Sequence, residues 1–449
     1  MSTNHPTSSS SRSPSPPETE PCAAPPDGSS TRLRRLLRGA VADLTPLRAS
    51  ADYRRIWFGQ SVSSIGQQMT AVAVSVQVYA LTGSTFATGA VGLCSLIPLV
   101  AFGLYGGAIA DTVDRRKLGL LGSAGLAAVS ALLAAQALLG LRQVALLYIA
   151  VALQGAFFAV SSPARSSMIP RLLPAEQLPA ANALATVSMN LGMTVGPMLG
   201  GLLIGAYGSQ AAYLVDTVAF TATLYAMWRL PAMRPGGAQA VQPGRRASVL
   251  DGLRFLREQP NLRTSFLADL AAMIFGLPRS LFPALAVGFY GGHAGTVGLL
   301  VAAPAVGALT GALFSGWIAR VHRHGVAVLA AVTAWGLSIA AFGLTSGHLW
   351  LGLALLAVAG CADTVSMIFR NTMMQVAAPD EMRGRLQGIF IVVVAGGPRL
   401  GDFESGTVAA LTTPTISVIS GGLACVAAIL LLAARRPTFL RYDARHPTP

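Results

Sequence analysis

Twelve runs of about twenty mainly apolar residues follow one another along this chain, and they restrict its fold more than any other feature. A helix needs roughly 20 such residues to cross about 30 Å of hydrocarbon. Windows of that size fall near 56–81, 86–110, 118–140, 144–164, 180–206 and 211–230. After a polar gap they resume near 263–289, 294–319, 325–345, 349–369, 386–412 and 414–433. The first and eleventh are the more polar ones. Asp, Glu, Lys and Arg make up 11% of the 449 residues, against roughly 25% in soluble proteins. Too little charge is present to cover a water-soluble enzyme, and the apolar content is too high for a disordered chain. The expected class is an all-α integral membrane protein.

The net charge of +14 suggests nucleic acid until the basic residues are placed. With the amino terminus inside, 29 of the 32 fall in alternate, inner gaps; Arg142 is alone outside, and Arg279 and Arg399 lie within spans. That asymmetry is the positive-inside pattern. It predicts an even number of helices with both termini cytoplasmic, and a lipid partner in place of nucleic acid. Cys22 lies in the tail and Cys94, Cys361 and Cys425 in spans, so neither a disulfide framework nor a metal site is expected.

Residues 1–31, rich in Ser and Pro, read as a disordered tail. Residues 32–55 are basic, with Leu33, Leu36, Leu37, Val41 and Leu44 at near-helical spacing, and read as a segment lying on the inner membrane face. Six helices then occupy 56–230, a linker 231–262, six more helices 263–433, and a cytoplasmic tail 434–449. In the linker, Ser248 and Asp251 make a helix-start pattern. Val249, Leu250, Leu253 and Leu256 give a short interfacial helix one greasy side before Pro260. An internal echo supports the division. Arg165 and Pro174 recur as Arg370 and Pro379; Gly196-Pro197 with Gly200 recurs as Gly397-Pro398 with Gly401. Parallel halves of this kind place a substrate site between them near the midplane.

Between the second and third spans the chain reads Gly106-Gly107-Ala108-Ile109-Ala110-Asp111-Thr112-Val113-Asp114-Arg115-Arg116-Lys117. This resembles the loop signature of the major facilitator superfamily, with Asp114 where that pattern usually has Gly. The resemblance implies that Asp111 and Arg115, with Gly107 and Arg116 in the same motif, form a charge network with the inner end of the eleventh span. The corresponding second loop has Arg320 in place of the Asp, and His322 and His324 read there as solvated loop residues. The fifth span holds Gly192-Met193-Thr194-Val195-Gly196-Pro197-Met198-Leu199-Gly200-Gly201, where Pro197 kinks the helix and the glycines permit close packing. It resembles the signature of the superfamily's proton-coupled antiporters, which implies export; a packing kink alone is the plainer reading.

Two longer stretches narrow the resemblance: Ser162-Pro163-Ala164-Arg165 through Ala181-Asn182-Ala183, and Arg370 through Gly401-Asp402. With Asp269 and Phe275-Gly276-Leu277-Pro278-Arg279 they are similar to the enterobactin-exporter branch, which also includes macrolide and other drug effluxers. The likeness runs from about Tyr53 to about Ala433. It implies a major-facilitator-like fold of 12 transmembrane helices in two six-helix pseudo-symmetric halves.

A charge in hydrocarbon costs roughly 2.5–3.5 kcal/mol on insertion scales, so each intramembrane one needs a partner, water or a task. Those residues are Asp216, Asp269, Arg279, Asp363, Arg399, Asp402 and Glu404. Arg279, Arg399, Asp402 and Glu404 are expected to form a mixed cluster between the seventh and eleventh spans. Asp216, near the outer end of its span, reads as a cap or lipid-interface residue. A proton-coupled exporter needs an acid whose protonation competes with substrate. Asp269 is the first candidate, Asp363 the second, and Asp402 or Glu404 follow; permanent ion pairs are the alternative. Gln60, Ser63, Ser64, Gln67, Gln68 and Gln77 are expected to line the cavity, with Phe282 and Phe289 stacking on substrate or packing in the core. No nucleotide-binding G-x-x-x-x-G-K-[ST] occurs, so protons are the expected driving partner, at about 2.3 kcal/mol per charge per 100 mV.

The combined expectation is a non-enzymatic, cofactor-free secondary exporter of a siderophore, antibiotic or other small molecule, working as a monomer in a bacterial inner membrane. Proton-coupled uptake and a non-transporting scaffold or sensor are the alternatives.

Overall fold

Helix boundaries follow from local chemistry. In the computed structural model, which describes residues 44–112, 114–231, 233, 249–377 and 380–443, α1 (Ala51–Thr82) starts where Ser50 Oγ accepts from the Tyr53 N–H at 3.2 Å. It stops at Gly83, whose positive φ lets its N–H close on the Tyr79 carbonyl. Then come α2 (Thr85–Thr112), α3 (Arg115–Leu138), α4 (Val144–Leu172), α5 (Leu178–Tyr207) and α6 (Ser209–Trp228). Only Gly208, with φ of 80°, separates α5 from α6; a side chain there would be strained. The short α7 (Val249–Glu258) lies in the linker. Beyond it are α8 (Pro260–Phe275), α9 (Phe282–Tyr290), α10 (Ala294–Leu313), α11 (His324–Phe342), α12 (Leu349–Ala377), α13 (Asp380–Leu411) and α14 (Pro414–Arg435). All regular elements among the described residues are helical. The expected tail at 1–31, residues 32–43 of the basic segment and Ser248 lie outside the described residues.

Nine segments among the described residues are long and apolar enough to cross a membrane. The helices α1, α6 and α13 fall short of that measure because of the polar residues they carry. Their polarity points inward: Ser63 of α1, Asp216 of α6 and Ser405 of α13 are buried, while Phe58, Val218 and Leu411 on the same helices are more than half exposed. Apolar side chains outside and polar ones inside is the arrangement a lipid solvent selects.

Packing sorts the helices into two groups. In the first, α1 packs on α5 and α6, α2 on α4, and α3 on α4 and α6. In the second, α8 packs on α13 and α14, α10 on α12, and α11 on α12 and α14. Two seams join them, α2 against α13 and α5 against α10. Both are close backbone contacts: a Cβ on Gly201 would meet the Ala294 carbonyl oxygen at 2.7 Å and Gly298 Cα at 3.0 Å. On the other seam, a Cβ on Gly92 would meet the Arg399 carbonyl oxygen at 2.6 Å, and Thr85 Oγ1 donates to the Gly406 carbonyl at 3.1 Å.

One expected span is not a single helix. The segment expected at 263–289 breaks after Phe275, continues as a 3-10 turn at Arg279–Leu281 and resumes as α9. Pro278 has no N–H to offer the helix. A Cβ on Gly276 would press on the Trp335 indole, with Cδ1 at 2.7 Å. Likewise α10 ends at Leu313 and a 3-10 turn covers Ser315–Arg320. His324 is not a solvated loop residue: it is buried at the start of α11, with its ring 5.1 Å from that of Phe369 and 6.3 Å from that of Tyr442. Burial in this contact pushes the Tyr442 hydroxyl pKa up.

Candidate functional site

Arg370, near the carboxyl end of α12, is buried between two carboxylates. Its Nη1 pairs with Asp269 Oδ1 of α8, and its Nη2 lies 3.6 Å from Asp363 Oδ1, two turns earlier on its own helix. Asp269 is buried, whereas the Asp363 side chain keeps 30% exposure. A cleft lined by Leu262, Ser265, Phe266 and Met374 reaches the Asp269–Arg370 pair. Unequal exposure of two acids sharing one guanidinium gives an exchange its physical basis. Protonating either acid frees the cation to turn wholly to the other.

The break in α8 builds a second group. Its 3-10 turn presents a free backbone N–H, and Ser280 N donates to Asp402 Oδ1 of α13 at 3.0 Å. Ser280 Oγ donates to the Asp402 carbonyl at 2.9 Å and meets Ser405 Oγ at 3.0 Å. Ser417 Oγ donates to the Ser405 carbonyl at 2.9 Å. Arg399 turns the other way: its Nε donates to Ser95 Oγ of α2 at 2.7 Å, across the seam, and its Nη1 to the Ala395 carbonyl. The cluster expected from Arg279, Arg399, Asp402 and Glu404 is therefore not directly paired. Asp402 is held by a backbone donor, and Glu404 is half-buried with no ion pair among the described residues. Arg279 acts through space on both Asp363 and Asp402, and Arg399 on Asp402. The two groups thus form one electrostatic chain, from Asp269 and Arg370 through Asp363 and Arg279 to Asp402 and Arg399.

The other expected residues fall as follows. Gln60, Ser64, Gln67 and Gln68 are half-buried on α1. Phe282 is fully buried, its ring edge-on to Phe342 at 6.2 Å, so it is core and not cavity lining. On α5, Gly192, Gly196 and Gly200 share one face against Ser64, Gln68 and Met69 of α1, while Gly201 meets α10. Pro197 lies buried among them.

At the α2–α3 loop, the side chains of α2 beyond Gly103, Asp111 included, lie outside the described residues. Asp114, the departure from the superfamily pattern, caps α3: its Oδ1 accepts from Arg116 N at 2.9 Å and Met233 N at 3.3 Å. Arg115 Nη1 donates to the Ser167 carbonyl at 3.1 Å; Arg116 donates to the Met227 and Trp228 carbonyls at 3.2 and 2.5 Å. The Met227 and Trp228 carbonyls lie at the carboxyl end of α6, where a cation satisfies groups that the helix end leaves open.

Sequence reasoning missed three arrangements. Asp216 is fully buried between α1 and α3, not at a lipid interface. Ser280, Ser405 and Ser417 carried no signal of their own. Glycines at 89, 92 and 406 in the α2–α13 seam were visible only as small residues in apolar helices.

This seamed, kinked helical bundle is the fold of the major facilitator transporters. It matches the nucleoside transporter NupG with a TM-score of 0.68 at 15% identity, over 85% of this chain and 99% of that one. A bacterial homologue of the iron transporter ferroportin, in its inward-facing state, matches at 0.64 and 16% identity, over 87% and 98%. At the sequence level, the enterobactin exporter EntS of Citrobacter koseri is 30% identical over 413 residues, 91% of this chain and 97% of that protein. EntS of Shigella boydii serotype 18 is 31% identical over 399 residues, 87% and 94%. Residues 41–445 match the transmembrane secretion effector model. The chain belongs to that family of major facilitator transporters, in its enterobactin-exporter branch, and is a multi-pass membrane protein.

Proposed function

We propose that this protein exports a small molecule of the siderophore class from a bacterial cytoplasm, in exchange for protons. In this reading the helices make twelve crossings, the break in α8 lying within one of them, as two six-helix halves of common origin. The arginine-rich ends of the helices face the cytoplasm, as do both termini, and a single copy in the inner membrane is the working unit. Substrate passes between the halves as the two seams open and close in turn.

One observation carries the proton part: Arg370 is buried between two acids, one of which also borders a cleft. Asp269 is the first coupling acid and Asp363 its alternate partner. Asp402 and Glu404 are in reserve, with Arg279 and Arg399 setting the local field. The α5 motif at Gly192, Gly196, Pro197, Gly200 and Gly201 lets α1 and α10 slide on bare backbone. Gly107, Asp111, Arg115 and Arg116 steady the cytoplasmic loop, and Gln60, Ser64, Gln67 and Gln68 offer amides and hydroxyls to the cargo. The substrate class is taken from the relatives' names, with antibiotics or other amphiphilic metabolites as the alternative cargo.

Everted membrane vesicles test this reading. Acidifying their lumen should drive enterobactin, or another member of a siderophore and drug panel, inward. Exit of preloaded substrate under that gradient points to uptake in the cell. Absence of gradient-dependent flux across the panel points to a non-transporting role.

A further inference from the structure

Asp216 is a buried carboxylate that the charge chain does not use. Two turns into α6, it is fully shielded from solvent. Its Oδ2 accepts from Thr70 Oγ1 of α1 at 2.8 Å and from Ser130 Oγ of α3 at 2.6 Å. Its Oδ1 has no hydrogen-bond partner among the described residues and points at Gly66 of α1, where a Cβ would lie 2.5 Å from it. The notch at Gly66 leaves room for an oxygen atom and supplies no side-chain donor.

Among the described residues, no cation is in hydrogen-bond or ion-pair reach of this group. Thr70 and Gly66 meet it from α1, and Ser130 meets it from α3. The third neighbour of α6, α5, carries no Asp, Glu, Lys, Arg or His between Leu178 and Tyr207. Within α6 the nearest titratable residue is Tyr213, whose hydroxyl donates to Gln77 Oε1 at 2.8 Å. Asp52, Arg54 and Arg55 on α1, with Arg115, Arg116 and Lys117 on α3, are 11 or more residues along from the contacts. That separation is about 16 Å or more at helical rise. A charge buried without a counter-charge is strongly disfavoured. A carboxylic acid suits the same cage: Oδ2 accepts from both hydroxyls, and the proton sits on Oδ1, the oxygen without a hydrogen-bond partner among the described residues.

We propose that Asp216 is a proton-binding site in the first helix group, separate from the Asp269–Arg370–Asp363 group. In the arrangement described, its carboxyl holds a proton. When α1, α3 and α6 part enough to admit water, the O–H bond at Oδ1 breaks, the proton passes to water, and Thr70 and Ser130 go on donating to the carboxylate, whose charge they stabilise. Nothing in this step depends on the cargo or on the direction of transport.

Infrared spectroscopy of the purified full-length protein in phosphatidylcholine vesicles, titrated with pH, tests the site without a transport assay. The wild type should show a carboxylic acid C=O band that Asp216→Asn removes and that disappears on alkalinisation. Thr70→Val with Ser130→Ala, which keeps the acid but removes both donors to the carboxylate, should move the loss of that band to higher pH. It also provides a readout if the Asn variant does not fold. A wild-type spectrum that matches Asp216→Asn at every pH overturns the proposal. So does a band that persists unchanged until the protein unfolds, or a midpoint that the double variant leaves where it was.

Discussion

Arg165 and Arg370 occupy matching places in two stretches of sequence 205 residues apart, yet their surroundings differ in kind. Arg165, in the first helix group, lies 5.7 Å from the centre of the Phe158 ring. Arg370, in the second, is buried between Asp269 and Asp363. The first group buries its own acid, Asp216, among hydroxyls; the second sets Asp269 and Asp363 against the Arg370 guanidinium. Two helix groups with similar packing partners thus differ in how they hold their buried charges.

Removing the cation from each place exposes that difference most strongly. Arg370→Gln leaves a buried carboxylate uncompensated, and breaking such a pair costs about 3–5 kcal/mol. Thermal unfolding in detergent should show either a large fall in melting temperature or no folded protein. Asp269→Asn combined with Arg370→Gln should recover most of the loss, because the neutral pair leaves no stranded charge. If Arg165→Gln destabilises as much as Arg370→Gln, the contrast between the groups is broken.

The seams give the next effect in size. Gly298→Val places methyl groups against the Pro197 carbonyl and Gly201, an overpacking worth about 1–3 kcal/mol. Charged to one conformation alone, that cost shifts its population roughly 5- to 150-fold. Substrate flux at equal protein density should fall accordingly while the protein stays folded. Gly89→Val, against the Asp402 carbonyl and Gly406, should match it if both seams serve one movement.

A smaller effect separates the two connecting loops. Asp114→Ala removes the cap of α3 and should cost about 1 kcal/mol, read as a modest drop in melting temperature. The cap of α11, Arg323, makes no side-chain bond to its helix, so Arg323→Ala should leave stability unchanged. Arg165→Gln gives the smallest measurable loss, its cation–ring contact being worth about 0.5–1 kcal/mol.

Much of this was legible in sequence, because helix placement depends on local apolar length and helix ends on neighbouring residues. The seven-residue spacing of Asp363 and Arg370 put them on one face, and the structure brings them within 3.6 Å. Legibility stopped where partners are distant in the chain. Asp216 meets side chains 146 and 86 residues away, so its depth in the span alone suggested a cap. Asp402 was assigned to arginines because its real donor is a backbone N–H exposed only once α8 breaks. The residues of that break, Gly276 and Pro278, were in view, but their effect depends on Trp335 in another helix. For Phe282 the sequence allows a substrate platform beside the commoner lipid or core packing, and only Phe342 beside it decides for core.

The central claim is that Asp269, Arg370 and Asp363 couple protons to export. It is tested most directly in proteoliposomes by comparing wild type with Asp269→Asn in two modes, flux driven by a pH gradient and substrate exchange at equal pH on both sides. The account predicts that the variant loses the response to the gradient and keeps exchange. Undiminished gradient-driven flux by Asp269→Asn would contradict it.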